Sequence, residues 1–298
     1  MITDSSMNLI FKEHVSQLDQ SVNFECRVDD GMIEARFVRR IEDYFIVYLS
    51  SQTGCEQACR MCWLTATGQN KARDVTIEEY WQQAERVLKH YVETQPKAKM
   101  VHFNFMARGE PFANNIFLEN ADKILAGLKE MAEAVGLKVK FLISTIFPKE
   151  MGALQLNDIF NEPSLYPEIY YSIYSMDKRF RKRWLPKATI AEAGLDRLKE
   201  WQDITGKVPK IHYAFINNEN DSIGDVKKIC DEINELELDV NWNIVRYNPP
   251  VGHYSKETVE GQIHYLAGYI RSRLPQARVK VIPRVGTDVQ ASCGTFLK

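Results

Sequence analysis

Two hydrophobic periods alternate along the chain. The stretch N-F-E-C-R-V, the turn Asp29-Asp30-Gly31 and then M-I-E-A-R-F-V predict a tight β-hairpin over residues 22–38. F-I-V-Y-L at 45–49 predicts a short buried strand. Thr76 and Glu79 have capping-box spacing, and Ile77, Tyr80, Trp81, Ala84, Leu88 and Tyr91 follow at helical intervals. Further strands are predicted at 100–107, 138–144, 169–174, 211–216, 240–245 and 279–282. Helices are predicted near 116–134, after a Thr189/Glu192 cap, after Ser222, and near 256–273. The Ser222 helix carries Ile223, Val226, Ile229, Ile233 and Leu236 on one face. A short helix is expected within residues 1–21.

Strands alternating with helices imply parallel strands joined by right-handed crossovers. About six such units make an α/β partial barrel, (β/α)6, rather than a closed eightfold one. The expected division is an N-terminal extension over 1–50, with the hairpin, and a core over 51–298. Sites in such folds lie at the C-terminal ends of the strands.

The 298 residues are 45% hydrophobic, enough for one sizeable core. A net charge of −2 excludes a uniformly basic nucleic-acid binder but not a local basic patch. The first residues lack a basic segment followed by an apolar one, and no apolar run is long enough to span a bilayer. The expectation is a soluble, cytoplasmic, monomeric chain without a membrane partner. There, clustered cysteines read as metal or redox groups rather than disulfides.

Three of the six cysteines fall within C-E-Q-A-C-R-M-C, residues 55–62, just after the 45–49 strand. Soft thiolates suit zinc or iron–sulfur clusters. Structural zinc needs four ligands, usually in two pairs, whereas here the spacing is C-x3-C-x2-C with no fourth Cys or His nearby. A four-iron cluster on three thiolates keeps one iron open for a ligand. A zinc site completed by a remote residue is the alternative.

This spacing at the end of a first barrel strand resembles that of the radical S-adenosylmethionine (SAM) enzymes. The longer stretch S-S-Q-T-G-C-E-Q-A-C-R-M-C resembles the RlmN/Cfr adenine methyl synthases in particular. Four later segments are similar to that subgroup in the same order: R-G-E-P (108–111), S-I-Y-S-M-D (172–177) with L-P-K (185–187), N-I-V-R-Y-N-P-P-V-G (243–252) and G-T-D-V-Q-A-S-C-G (286–294). The resemblance implies a [4Fe–4S] cluster on Cys55, Cys59 and Cys62 whose open iron chelates SAM. It implies Glu110 as acceptor for the SAM amino group, and Ser144, Ser172, Tyr174 and Asn220 around SAM, with Tyr174 standing where the subgroup has His. It makes Cys293 the methyl carrier, which takes a methyl from one SAM and passes it as a carbon radical to a ring carbon of adenine in ribosomal or transfer RNA. An electron donor such as flavodoxin or ferredoxin is implied as a partner.

Two departures stand out. Tyr48 occupies the position of the subgroup's second essential Cys, and a phenol cannot form a disulfide with Cys293. Cys26, on a neighbouring strand, is the candidate substitute, whereas Cys230 falls on an apolar stripe and reads as core. The subgroup's N-terminal RNA-binding domain is expected to be mostly absent, since only about 21 residues precede the hairpin. The run K-R-F-R-K-R (178–183), with Arg181, Lys182 and Arg183, is the candidate phosphate contact that replaces it. Two other functions stay open: radical SAM hydrogen abstraction from a nucleoside or peptide, and a non-enzymatic metal-binding RNA-associated protein.

Overall fold

A computed structural model describes residues 8–298. One ten-stranded sheet runs through the described chain in sequence order, β1 to β10. The first strands, β1 (Lys12–Val15), β2 (Val22–Val28) and β3 (Gly31–Val38), are antiparallel neighbours, and β3 pairs antiparallel with β4 (Tyr44–Tyr48). From β4 onward every pairing is parallel: β5 (Met100–Phe105), β6 (Lys138–Thr145), β7 (Glu168–Ser172), β8 (Lys210–Tyr213), β9 (Asn241–Val245) and β10 (Val279–Ile282). Six crossovers therefore connect the parallel strands, as the six-unit partial barrel requires, and β10 adds a final strand.

The connecting helices are α1 (Trp63–Ala66), α2 (Ile77–Thr94), α3 (Asn115–Ala134), α4 (Leu156–Ile159), α5 (Lys178–Trp184), α6 (Ala191–Thr205), α7 (Ile223–Glu235) and α8 (Glu260–Arg273). Their starts follow from local chemistry. Thr76 and Glu79 close the expected capping box on α2, and Ser222 with Asp225 closes one on α7. The apolar faces of α2, α3, α6, α7 and α8 join the outward residues of the strands in one continuous core. Phe105, Phe112, Phe117 and Phe160 interlock there at ring-centroid distances of 5.1–6.3 Å.

Several expectations need correction. No helix lies in residues 8–21. That segment carries β1, an edge strand on the hairpin, while residues 1–7 lie outside the described residues. The barrel begins at β4, so a boundary at residue 50 would cut off its first strand. Thr189 does not cap α6: Ile190 holds that position without a side-chain bond, and the Thr189 N–H is given to the Phe147 carbonyl. Helix α8 starts at Glu260 rather than near 256, because the preceding Glu257 carboxylate turns to bind Arg246, Arg284 and the Tyr247 N–H. The basic run 178–183 is itself helix α5. Among the described residues no helix is long and apolar enough to cross a membrane.

Candidate active site

The site is built where β4 and β5 end. Ser50 and Ser51 follow β4 and tie it to the next strand's loop: the Ser50 hydroxyl accepts from the Arg108 N–H, and the Ser51 N–H donates to the Arg108 carbonyl at 2.7 Å. The Gln52 side chain accepts from the Glu110 N–H at 3.2 Å. Gly109 between them has φ +88°, and an added Cβ would stand 2.7 Å from the Gln52 backbone, so only glycine fits. This bracket fixes Glu110 against the loop that carries the cysteines.

Cys55, Cys59, Cys62, Glu110, Ser144, Ser172, Tyr174 and Cys293 line one cavity of about 150 Å³. The expected site residues from four strand ends and the C-terminal tail thus come together. The hydroxyls of Ser144 and Ser172, on adjacent strands, lie 3.4 Å apart. Glu110 is buried, and its carboxylate accepts from the Phe112 and Ile146 N–H groups at 3.2 and 3.1 Å. Burial still dominates and pushes its carboxyl up to about 7. A cation placed beside it would restore the ionised form. Tyr174 sits in the left-handed backbone region at φ +55°. Burial raises its phenol well above the usual range, and the nearby Cys293 thiol adds to this.

The three loop thiols fit a cationic cluster. Burial raises all three above the ordinary thiol value; Cys55 and Cys59 raise it further through neighbouring thiols. As free thiols they stay neutral; bound to iron they deprotonate. Among the described residues no three His, Cys, Asp or Glu side chains gather about the single point that one zinc ion needs. The three thiols line one shared cavity instead. The side-chain carboxamide oxygen of Gln57 is buried beside them without a partner.

Cys293 is placed by an internal charge network. Glu34 on β3 is fully buried and bonded to Arg36 and Arg108, each at 2.8 Å. The two guanidiniums then hold the tail: Arg36 donates to the Thr295 carbonyl at 2.8 Å and Arg108 to the Leu297 carbonyl at 2.6 Å. The Leu297 N–H returns a bond to Glu34, and Phe296 lies under both cations. Next to the cysteine, the Trp63 N–H bonds the Gly294 carbonyl and the Asn248 amide bonds the Cys293 carbonyl. Gly294 takes φ +74°, the turn that points the thiol inward. Cys293 is exposed to solvent, and the protein packed around it, with the Cys62 thiol nearby, raises its thiol above the ordinary value.

A second cavity of about 230 Å³ is lined by residues on one face of the parallel strands, among them Tyr48, Asn104, His212 and Asn243. Tyr48 points into it, opposite Asn104 in register. Its lining includes the buried Arg36 and five further cations, Arg40, Arg246, Arg278, Lys280 and Arg284. Met106, His212 and Cys293 line both cavities and so form the boundary between them. The sequence reading missed this basic chamber. Its signal is the period-two alternation in H-F-N (102–104), K-I-H (210–212) and N-W-N (241–243), which puts a polar face inside the barrel.

Three expected roles fail on geometry. Asn220 is fully buried, with its oxygen taken by the Ile216 N–H and its amide given to the Tyr174 and Ala214 carbonyls. It braces the strained Tyr174 turn rather than lining the cavity. Arg181 is buried and spends its guanidinium on the Ile173 and Thr189 carbonyls, and Arg183 pairs with Glu219, which leaves only Lys182 of the three free toward solvent. Cys26 is core, packed with Phe24 under α2, and lines neither cavity, so it cannot stand in for the thiol missing at Tyr48. Cys230 is core, as expected.

A curled parallel sheet with three loop thiols and a buried carboxylate over its strand ends defines the radical SAM class. A solved radical SAM methyltransferase from Sphaerobacter thermophilus has the same fold, with a TM-score of 0.79 over 97% of this chain and 81% of that one at 18% identity. More particularly, the chain is an RlmN-like enzyme of that class. It is 24% identical to the dual-specificity RNA methyltransferase RlmN of Nautilia profundicola over 98% of this chain and 77% of the relative. It is 25% identical to a probable RNA methyltransferase of Rhodopirellula baltica over 97% and 73% of the two. No protein-family model matches the chain.

Proposed function

We propose that this protein methylates a ring carbon of an adenine in RNA, with Cys293 as the methyl carrier. The observation that carries the reading is the position of Cys293 in the wall between the thiol cavity and the basic chamber. One face of the sulfur meets the cofactor side and the other meets the substrate side.

The cluster held by Cys55, Cys59 and Cys62 supplies, when bound, the electron that splits SAM into methionine and a 5′-deoxyadenosyl radical. Glu110 receives the SAM ammonium, and the Ser144–Ser172 hydroxyl pair offers hydrogen bonds beside it. Cys293 gives its proton to solvent, and the thiolate forms a carbon–sulfur bond with the methyl group of a first SAM as the methyl–sulfonium bond breaks and S-adenosylhomocysteine leaves; the positive sulfonium nearby eases that deprotonation. The Glu34–Arg36–Arg108 network holds the tail so that the S-methyl group points at the boundary. Arg40, Arg278 and Lys280, which have no carboxylate partner among the described residues, take phosphates at the rim. The likeness to relatives named as RNA methyltransferases supports the same reading. The proposed setting is cytoplasmic, with a small one-electron protein donor such as flavodoxin or ferredoxin.

The test is nucleoside mass spectrometry of total RNA from cells with and without the gene. A methyladenosine that disappears with the gene, and is not restored by Cys293→Ala, supports the reading. An unchanged nucleoside profile contradicts it.

A further inference from the structure

Asn104 lies inward on β5 at the floor of the basic chamber and is only 4% exposed. Its carboxamide oxygen has no hydrogen-bond partner, and its amide nitrogen reaches only the Met106 sulfur, at 3.8 Å. A buried carboxamide without a partner is costly, and a strand interior of this type would pack better with leucine or valine. Asn104 lines the chamber together with Met106, His212 and Cys293, and its oxygen, sealed from solvent as it stands, reaches that space by a turn about the last torsion of the carboxamide. Its oxygen seeks a donor and its amide a better acceptor, side by side. The amino-group edge of an adenine presents that pair, an N–H donor next to a ring-nitrogen acceptor. Across the chamber stand His212 and Asn243, register partners on β8 and β9. Burial and the Lys210 charge push the His212 imidazole down to about 3, so it meets the base uncharged.

We infer that Asn104 reads the target adenine: its carboxamide pairs with the exocyclic amino group and the adjacent ring nitrogen and holds the ring against the Cys293 methyl group. This assignment rests on the RNA reading above and adds the residue that selects the base. Asn104 is a specificity-determining residue, with no proton or methyl passing through it.

The test uses the anaerobically reconstituted holoenzyme and fluorescence anisotropy. Two labelled single-stranded pyrimidine RNA decamers are compared, one with a single central adenosine and one with its purine analogue lacking the 6-amino group. The wild type should bind the adenosine strand about tenfold tighter, the scale of one good base contact. Asn104→Leu should bind both strands equally, at the wild-type affinity for the purine strand; Asn104→Val serves if leucine is not accommodated. A merely structural role would weaken both strands by the same factor and keep the preference, which overturns the inference. So does a wild type that binds both strands equally, although RNA binding then stands. Failure of the wild type to bind either strand removes the RNA reading and this assignment with it.

Discussion

Replacing Glu110 with Gln should stabilise the cluster-free protein as pH rises while destroying its use of SAM. A buried carboxyl whose midpoint moves from 4.5 to about 7 has its ionised form disfavoured in the folded chain by about 3 kcal/mol. Between those two values the folded chain keeps a proton that the unfolded chain has released. The wild type therefore loses stability as pH rises through this window, and the loss levels off above 7. Glutamine does not titrate. It also places an amide nitrogen against one of the Phe112 and Ile146 N–H donors, a fixed cost of about 1–2 kcal/mol at every pH. The informative quantity is the difference in urea-unfolding free energy between variant and wild type. It should grow in the variant's favour by about 3 kcal/mol from pH 4.5 to pH 8. The thiols do not disturb this comparison, because they are raised above the ordinary thiol value and are common to variant and wild type. In the cluster-loaded protein the same substitution should weaken SAM binding about 10- to 100-fold by equilibrium dialysis, through loss of a charge-assisted bond. A pH-independent stability difference would refute the claim that burial strains Glu110 for a cation.

The remaining expectations concern the tail and the rim. Arg108→Met leaves Glu34 partly unpaired in the core and should cost about 3–5 kcal/mol of unfolding free energy by urea denaturation. Gly294→Ala meets open space but keeps φ +74°, so it should cost about 1 kcal/mol in stability and a larger share of Cys293 methylation, read by peptide mass. Arg278→Ala and Lys280→Ala should each flatten the salt dependence of RNA binding by about one unit of log–log slope, whereas Arg183→Ala, already paired with Glu219, should leave the slope unchanged.

Much of the fold could be read because local chemistry announces it. The capping pairs Thr76–Glu79 and Ser222–Asp225 and the helical stripe of α2 act within a few residues, so the sequence displays them directly. That the three loop cysteines and Glu110 would share a cavity could be read for the same reason: each follows a strand end within a short segment. Residues that act across long separations were hidden. Glu34 meets Arg108 through 74 positions and then the tail, and no local pattern links the three. Arg181 and Asn220 misled because a charged or amide side chain near a strand end looks available for ligands whether it faces outward or braces a turn. In α5, Phe180 and Trp184 at helical spacing were the sign that one side of the basic run is buried, and that side carries Arg181 inward. The polar interior of the barrel was visible as alternation in three strands. Its meaning appeared only when curling of the sheet brought those faces to Cys293.

The most direct test of the account is the mass of the peptide containing Cys293 after anaerobic expression with the cluster intact. The account predicts a gain of one methylene on Cys293 that disappears when Cys55 is replaced by Ala. An unmodified Cys293 thiol in protein that holds its cluster and cleaves SAM would contradict the methyl-carrier role and leave a radical SAM enzyme of a different reaction.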